Sequence, residues 1–201
     1  GNMSILFETR GADGRRKLWL VAGPYWPMMV FITLPAIIGL SYAVAHSGLL
    51  EQAGPAAGAI LWLLTAASCV LLFVVGLADP GILPHYAEPP TGAEAWRFSL
   101  QAKTYRPPDA LYTRDCNVII DGFDHVCPWT GTAIGRRNLA AFNIFLLSLF
   151  MLVCYDVALA IQSTLPNSSL SLVMGVVLAM ISLGALACGC LIHFLSPGSP
   201  M

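Results

Sequence analysis

Asp124, His125 and Cys127 fall within one short run, Asp124-His125-Val126-Cys127-Pro128-Trp129. Their side chains are the parts of an activated thiol nucleophile. A thiolate attacks where a thiol does not, and a free cysteine is only a few per cent ionised near neutral pH. An imidazole has the intrinsic basicity to take that proton and return it. A carboxylate beside the imidazole orients the ring and steadies its cation, the logic of a catalytic triad. Three such residues also meet by chance on ordinary surfaces, so the elements around them decide what they mean.

Those elements are set by composition. Hydrophobic residues make up 57% of the 201-residue chain and charged residues 10%. Soluble domains hold roughly 25% charged residues, so the bilayer must be the solvent for much of this surface. The net charge of −1 suggests no nucleic-acid partner. Cys69, Cys154, Cys188 and Cys190 sit in apolar runs and read as small hydrophobes, not as a secreted disulfide framework. The first apolar run is long enough to span, so no cleavable leader is expected.

A span needs about 20 apolar residues. Four segments qualify, roughly Tyr25–Ala45, Ala56–Ala78, Leu139–Gln162 and Leu170–Leu195, with Pro27 and Pro35 expected to delay or kink the first. The predicted fold is an all-α polytopic membrane protein of four transmembrane helices. It divides into an N-terminal segment (1–24), helices 1 and 2 (25–78), a long loop (79–138), helices 3 and 4 (139–195) and a short tail, complete or truncated (196–201).

All 10 Lys and Arg residues lie in the N-terminal segment or the long loop. The positive-inside bias therefore places both termini and that loop in the cytosol, a reducing compartment where a free thiol persists. Asn167-Ser168-Ser169 is a glycosylation sequon so close to the membrane that a chance match is the better reading. The Pro-rich stretch from Asp79 to Gly92 reads as an extended link. The rest of the loop is predicted to hold turns, short helices and little regular strand.

Beyond the tetrad the run continues Pro128-Trp129, Gly131, Ile134-Gly135-Arg136-Arg137-Asn138 and Phe142. Arg106-Pro107-Pro108 stands upstream, and Asp79-Pro80-Gly81 follows the second predicted span. In these motifs and their order the chain resembles the DHHC-type protein S-acyltransferases, the palmitoyltransferases, as a divergent member with a DHVC tetrad. The resemblance covers most of the chain. It implies a cytosolic signature loop between helices 2 and 3, with Cys127 as nucleophile, His125 as base and Asp124 orienting it.

Two departures stand out. Val126 replaces a histidine that serves the family as a zinc ligand. Counting back from the signature, the other ligand positions fall on Ser99, Ala102, Tyr112, Thr113, Cys116 and Ile119, and the last on Ala133. Cys116 alone keeps a ligand, whereas a structural zinc takes four. Zinc is therefore expected to be absent, with a packed core in its place. The family's Thr-Thr-x-Glu motif after the fourth span is also missing from the closing residues, Leu195–Met201.

The resemblance implies ping-pong transfer of a long-chain acyl group, palmitoyl for preference, from acyl-CoA to Cys127 and then to a membrane-proximal cysteine of a protein substrate. Arg136, Arg137 and Lys103 are candidates for the CoA phosphates, although topology alone accounts for them equally well. Trp129 is a candidate substrate contact, with a purely structural role equally open. Asp156, inside the third span, is expected to bond Tyr42 or Ser41 of another span or to border the acyl chain. Gly184, Ala185, Ala187, Cys188 and Gly189 make a small-residue stretch suited to close packing in the fourth. The implied location is a Golgi, ER or plasma membrane. The competing reading is a non-catalytic membrane scaffold or binder of acylated partners; a transporter finds no inverted repeat to support it.

Overall fold

The computed structural model describes residues 1–11, 16–93 and 95–164, without the side chains of Gln52, Gln162, Ser163 and Thr164. Helix α1 runs Trp26–His46, the short α2 Leu49–Ala53, α3 Pro55–Leu77 and α4 Leu139–Thr164. Three of these are long and apolar enough to cross a membrane. At about 1.5 Å per residue their lengths match a hydrocarbon core of about 30 Å. Phe31, Leu63, Val70, Ile144 and Leu147 point outward from them and are exposed, as lipid-facing side chains would be. The predicted fourth span, its small residues, the sequon and the tail lie outside the described residues.

Pro27 sits in the first turn of α1, where its missing N–H costs nothing. A π-helical stretch, Met29–Thr33, follows, and Leu34 N–H reaches back to Met29 O. This wider turn stands directly before Pro35, whose ring cannot share the ordinary α-helical ladder.

The expectation of an all-α chain and a strand-poor loop needs correcting. Among the described residues four antiparallel hairpins precede or interrupt the helices. The first pairs β1, Ser4–Arg10, with β2, Arg16–Ala22. The long loop holds three more: β3 (Arg97–Ser99) with β4 (Thr104–Arg106), β5 (Leu111–Thr113) with β6 (Val118–Ile120), and β7 (His125–Cys127) with β8 (Thr132–Ile134). Each of these six loop strands has three residues. Hairpins form here because tight turns separate short runs of β-branched and aromatic residues.

The chain forms two compact units. One comprises Gly1–Ile37 and Cys69–Phe145; the other comprises Ile38–Ser68 and the chain from Leu146 on. The first unit contains every hairpin. Its core includes Val21, Met29, Leu72, Val75, Ile120 and Ile134, all buried. The link after α3 is stitched down rather than free. Asp79 Oδ1 accepts from the N–H groups of Gly81 and Ile82, both at 2.9 Å, and its other oxygen pairs with Arg137. Asp121 N–H donates to Gly81 O at 2.9 Å and Leu83 N–H to Ile119 O at 3.0 Å. The chain start is threaded along the same loop: Asn2 N–H donates to Cys116 O at 2.8 Å and its side-chain amide to Asp115 O at 2.9 Å.

The second unit is joined by hydroxyls inside apolar helices. Thr65 Oγ1 bonds Ser41 Oγ at 2.7 Å, Ser68 Oγ bonds Ser148 Oγ at 2.9 Å, and Tyr155 OH donates to Ala57 O at 2.9 Å. Such bonds hold helices together where lipid offers no partner. Of the two roles expected for Asp156, the bond to Tyr42 or Ser41 is not formed. Asp156 is buried, and neither carboxylate oxygen has a hydrogen-bond partner among the described residues. Tyr42 instead stacks on His46, with ring centroids 3.9 Å apart.

Candidate functional site

Strand alternation sorts the signature residues. In β7, His125 and Cys127 share one face and Val126 takes the other, because successive side chains alternate across a strand. The register is His125 opposite Ile134, Val126 opposite Ala133 and Cys127 opposite Thr132. A four-residue turn, Pro128–Gly131, joins the strands and is closed by Gly131 N–H donating to Pro128 O at 3.1 Å. Gly131 has φ +81°, a conformation that disfavours any residue with a Cβ.

The start of α1 holds this turn. Tyr25 N–H donates to Gly131 O at 3.1 Å, and Thr33 Oγ1 donates to Trp129 O at 2.8 Å. The indole of Trp129 is left exposed. On the other side Gly135 fits where no larger residue would. A Cβ there would lie 2.4 Å from Pro80 O and 2.5 Å from an Ile120 methyl. Fully buried Asn138 then closes the entry to α4, its side-chain oxygen accepting Gly135 N–H at 2.9 Å and its amide donating to Ala133 O at 3.0 Å. The Ile-Gly-x-x-Asn and Asp-Pro-Gly motifs thus lock together behind the hairpin.

On the chemical face, Asp124 Oδ2 lies 3.2 Å from His125 Nδ1. That contact favours the tautomer with the proton on Nδ1, leaving Nε2 free to accept one. Phe142 rests edge-on against the imidazole, ring centroids 5.2 Å apart. Cys127 is buried at 8% exposure, while the His125 side chain keeps 40%. The structure therefore brings Asp124 to His125 and presents Cys127 on the imidazole's side of the strand.

The opposite face is apolar. Cys116, Ile120 and Ala133 are buried together, with Met3, Val118, Phe123 and Val126 packed against them. Three positions where the resemblance implies zinc ligands, Cys116, Val126 and Ala133, fall in this one cluster. Burial pushes the Cys116 thiol up from its ordinary range, with Asp115 adding to the shift and a hydrogen bond from Thr113 opposing it. Elsewhere Tyr112 OH donates to Asn117 Oδ1 at 2.8 Å, and Ser99 Oγ accepts from Ala102 N–H at 3.4 Å. These residues do not fit a zinc ion, and among the described residues no three His, Cys, Asp or Glu side chains converge on a metal position.

The basic candidates are scattered. Arg137 pairs with Asp79, whose side chain is 4% exposed. Arg136 pairs with Asp121 at 2.9 Å and with Asp109, all on the surface. Lys103 is exposed in the turn of the β3–β4 hairpin, where its carbonyl accepts from or faces His85 Nε2 at 2.7 Å. Sequence reading overlooked the Asp79–Arg137 pair, the Asn138 clamp and the His125–Phe142 contact. The only signal for them was that these residues belong to the quoted motifs.

A model of the DHHC palmitoyltransferase family matches residues 93–196, just over half of the chain. Among curated proteins, the chain is 28% identical over 187 residues to Palmitoyltransferase ZDHHC14 of Danio rerio, covering 78% of this chain and 36% of that protein. It is 26% identical over 187 residues to Palmitoyltransferase ZDHHC14 of Homo sapiens, covering 78% and 38%. With Palmitoyltransferase ZDHHC9 of Bos taurus it shares 27% over 159 residues, covering 62% and 44%. The chain thus spans less than half the length of these relatives.

Proposed function

Because the chain belongs to the DHHC palmitoyltransferase family, we propose that it is a protein-cysteine S-acyltransferase using Cys127 as a covalent relay. The observation that carries this reading is the Asp124–His125 contact on the strand whose same face bears Cys127. In the proposed first step His125 takes the thiol proton and the Cys127 sulfur attacks the carbonyl of a long-chain acyl-CoA. The tetrahedral intermediate expels CoA thiolate, which leaves with the proton from the imidazolium. In the second step the imidazole deprotonates a cysteine of the substrate protein. That sulfur attacks the acyl-Cys127 thioester, and Cys127 leaves as a thiolate and is reprotonated. One thioester is exchanged for another, so no oxidant or metal enters the balance. Asp124 orients the imidazole and offsets its charge during both steps.

The membrane supplies the acyl chain. Each buried CH₂ is worth about 0.8 kcal/mol, so a palmitoyl tail prefers lipid while CoA stays in water. A nucleophile at the boundary meets the carbonyl between them. The 10 basic residues, all in the N-terminal segment or the long loop, support a cytosolic loop and cytosolic termini. Four spans and residence in a Golgi, ER or plasma membrane belong to the same proposal. Arg136 and Lys103 are the better CoA phosphate contacts, because exposed ion pairs exchange at little cost. Arg137 is engaged with the buried Asp79 carboxylate. Trp129 lies open on the turn beside the nucleophile, available to the acyl chain or the lipid interface.

We also propose that packing of the Cys116, Ile120 and Ala133 cluster replaces zinc in holding the loop. Metal analysis of purified protein should find well under one zinc per chain; one or more per chain, held by a four-ligand site, would refute this. The test of the enzyme reading is transfer. Chain preloaded from palmitoyl-CoA, then freed of CoA, should pass its label to a cysteine peptide and not to the matching serine peptide. The replaced ligand positions favour a second reading, a scaffold that binds acylated partners without turnover. It predicts palmitoyl peptide binding with no covalent label on the chain.

A further inference from the structure

Thr132 stands directly opposite Cys127 in the β7–β8 register. Paired residues of antiparallel strands send their side chains to the same face, with Cβ atoms about 4.5–5.5 Å apart. Thr132 is completely buried, and among the described residues its Oγ1 has no hydrogen-bond partner. Folds seldom leave a buried hydroxyl unpaired without a reason. The neighbouring hydroxyl follows the rule: Thr130, equally buried, bonds Cys127 O at 3.3 Å. Thr132 is the exception, and it is the exception beside the proposed nucleophile.

The start of α1 and the strand before it pack around this turn. The backbone of Gly23 lies close against the Thr132 Cα and Cβ, and Gly131 packs on Trp26 and Met29. None of these side chains carries charge. His125 shares that face of β7 with Cys127, and Asp124 contacts its imidazole. A neutral thiol is a weak hydrogen-bond acceptor, so the hydroxyl gains little from Cys127 at rest. A thiolate is a strong one.

We propose that Thr132 Oγ1 donates a hydrogen bond to the Cys127 sulfur once that sulfur carries charge, making Thr132 an activating residue for the nucleophile. The cysteine proton goes to His125 and Thr132 keeps its own, so the step adds no proton to the reaction. The inference rests on the acyltransferase reading only in taking Cys127 as the nucleophile.

Thr132→Val keeps the shape and removes the donor, whereas Thr132→Ser keeps the donor. The full chain in lipid nanodiscs is treated with iodoacetamide, and alkylation of the Cys127 peptide is timed by mass spectrometry. Thr132→Val should react about tenfold more slowly than wild type and Thr132→Ser within about twofold of it. After unfolding in detergent and urea all three should react alike. If the valine variant fails to fold, Thr132→Ala takes its place, with the serine variant as rescue. A folded Thr132→Val or Thr132→Ala chain alkylated at the wild-type rate overturns the proposal. The assay contains no acyl-CoA. The expected pattern in a chain that palmitoyl-CoA never labels would sink the acyltransferase reading and leave Thr132's role standing.

Discussion

The two faces of the β7–β8 hairpin carry opposite kinds of side chain. One presents His125 and Cys127, with Asp124 against the imidazole. The other presents Val126 and Ala133 to Ile120 and Cys116. The first carries the groups for the proposed proton transfer and covalent bond; the second is apolar and excludes water. Two buried cysteines, Cys127 and Cys116, fall one on each side. The difference teaches that the tetrad's chemistry and its support are separable. A valine in the tetrad changes what holds the strand while the three reactive groups stay in place.

Substitutions test that separation, the largest expected effect first. Cys127→Ala should abolish acyl labelling while leaving helix content and thermal melting near wild type, since its small side chain is no part of the apolar cluster. His125→Ala should slow acylation about 10²–10⁴-fold, the usual worth of a positioned base, again in a folded chain. Ile120→Ala on the other face should do the reverse. It should cost about 2–5 kcal/mol of stability, read by denaturant melts, while the folded fraction acylates at close to the wild-type rate. An Ile120→Ala chain that stays stable yet loses activity would break the comparison.

Asp79→Asn removes the buried charge that holds Arg137 and should loosen the loop by about 1–3 kcal/mol, with acylation falling only as the loop opens. Hydrogen exchange across residues 118–138 would measure it. The smallest effect is a pH dependence. Because burial raises the Cys116 thiol in the folded chain, the unfolded chain ionises first. Stability is then full below the ordinary thiol value of about 8.5 and declines as pH rises above it. Melts between pH 8 and 10 should show that decline in wild type and a shallower one in Cys116→Ala.

Much of this was legible before any coordinates. Apolar runs gave α1, α3 and α4 to within a few residues, because a bilayer imposes one length and one composition on every crossing. The Asp-His-x-Cys run marked the proposed site, and the contact of Asp124 with His125 follows from their being neighbours. The hairpins were not legible. A three-residue strand such as His125–Cys127 is too short to show a period of two. The β1–β2 hairpin was overlooked beside the apolar run that follows it. The fates of Arg136 and Arg137 were hidden for another reason. Arg137 meets Asp79 across most of the loop, and a basic pair reads alike whether it awaits a phosphate or a carboxylate. Thr132 carried no signal at all, because only the register sets it opposite Cys127.

The most direct measurement of the central claim is the site of acylation. Purified chain in nanodiscs is incubated with palmitoyl-CoA, digested and read by mass spectrometry with and without hydroxylamine. The account predicts one hydroxylamine-labile palmitoyl group on the peptide bearing Cys127 and none on the peptide bearing Cys116. A folded chain that takes no label, or takes it on Cys116, would contradict it.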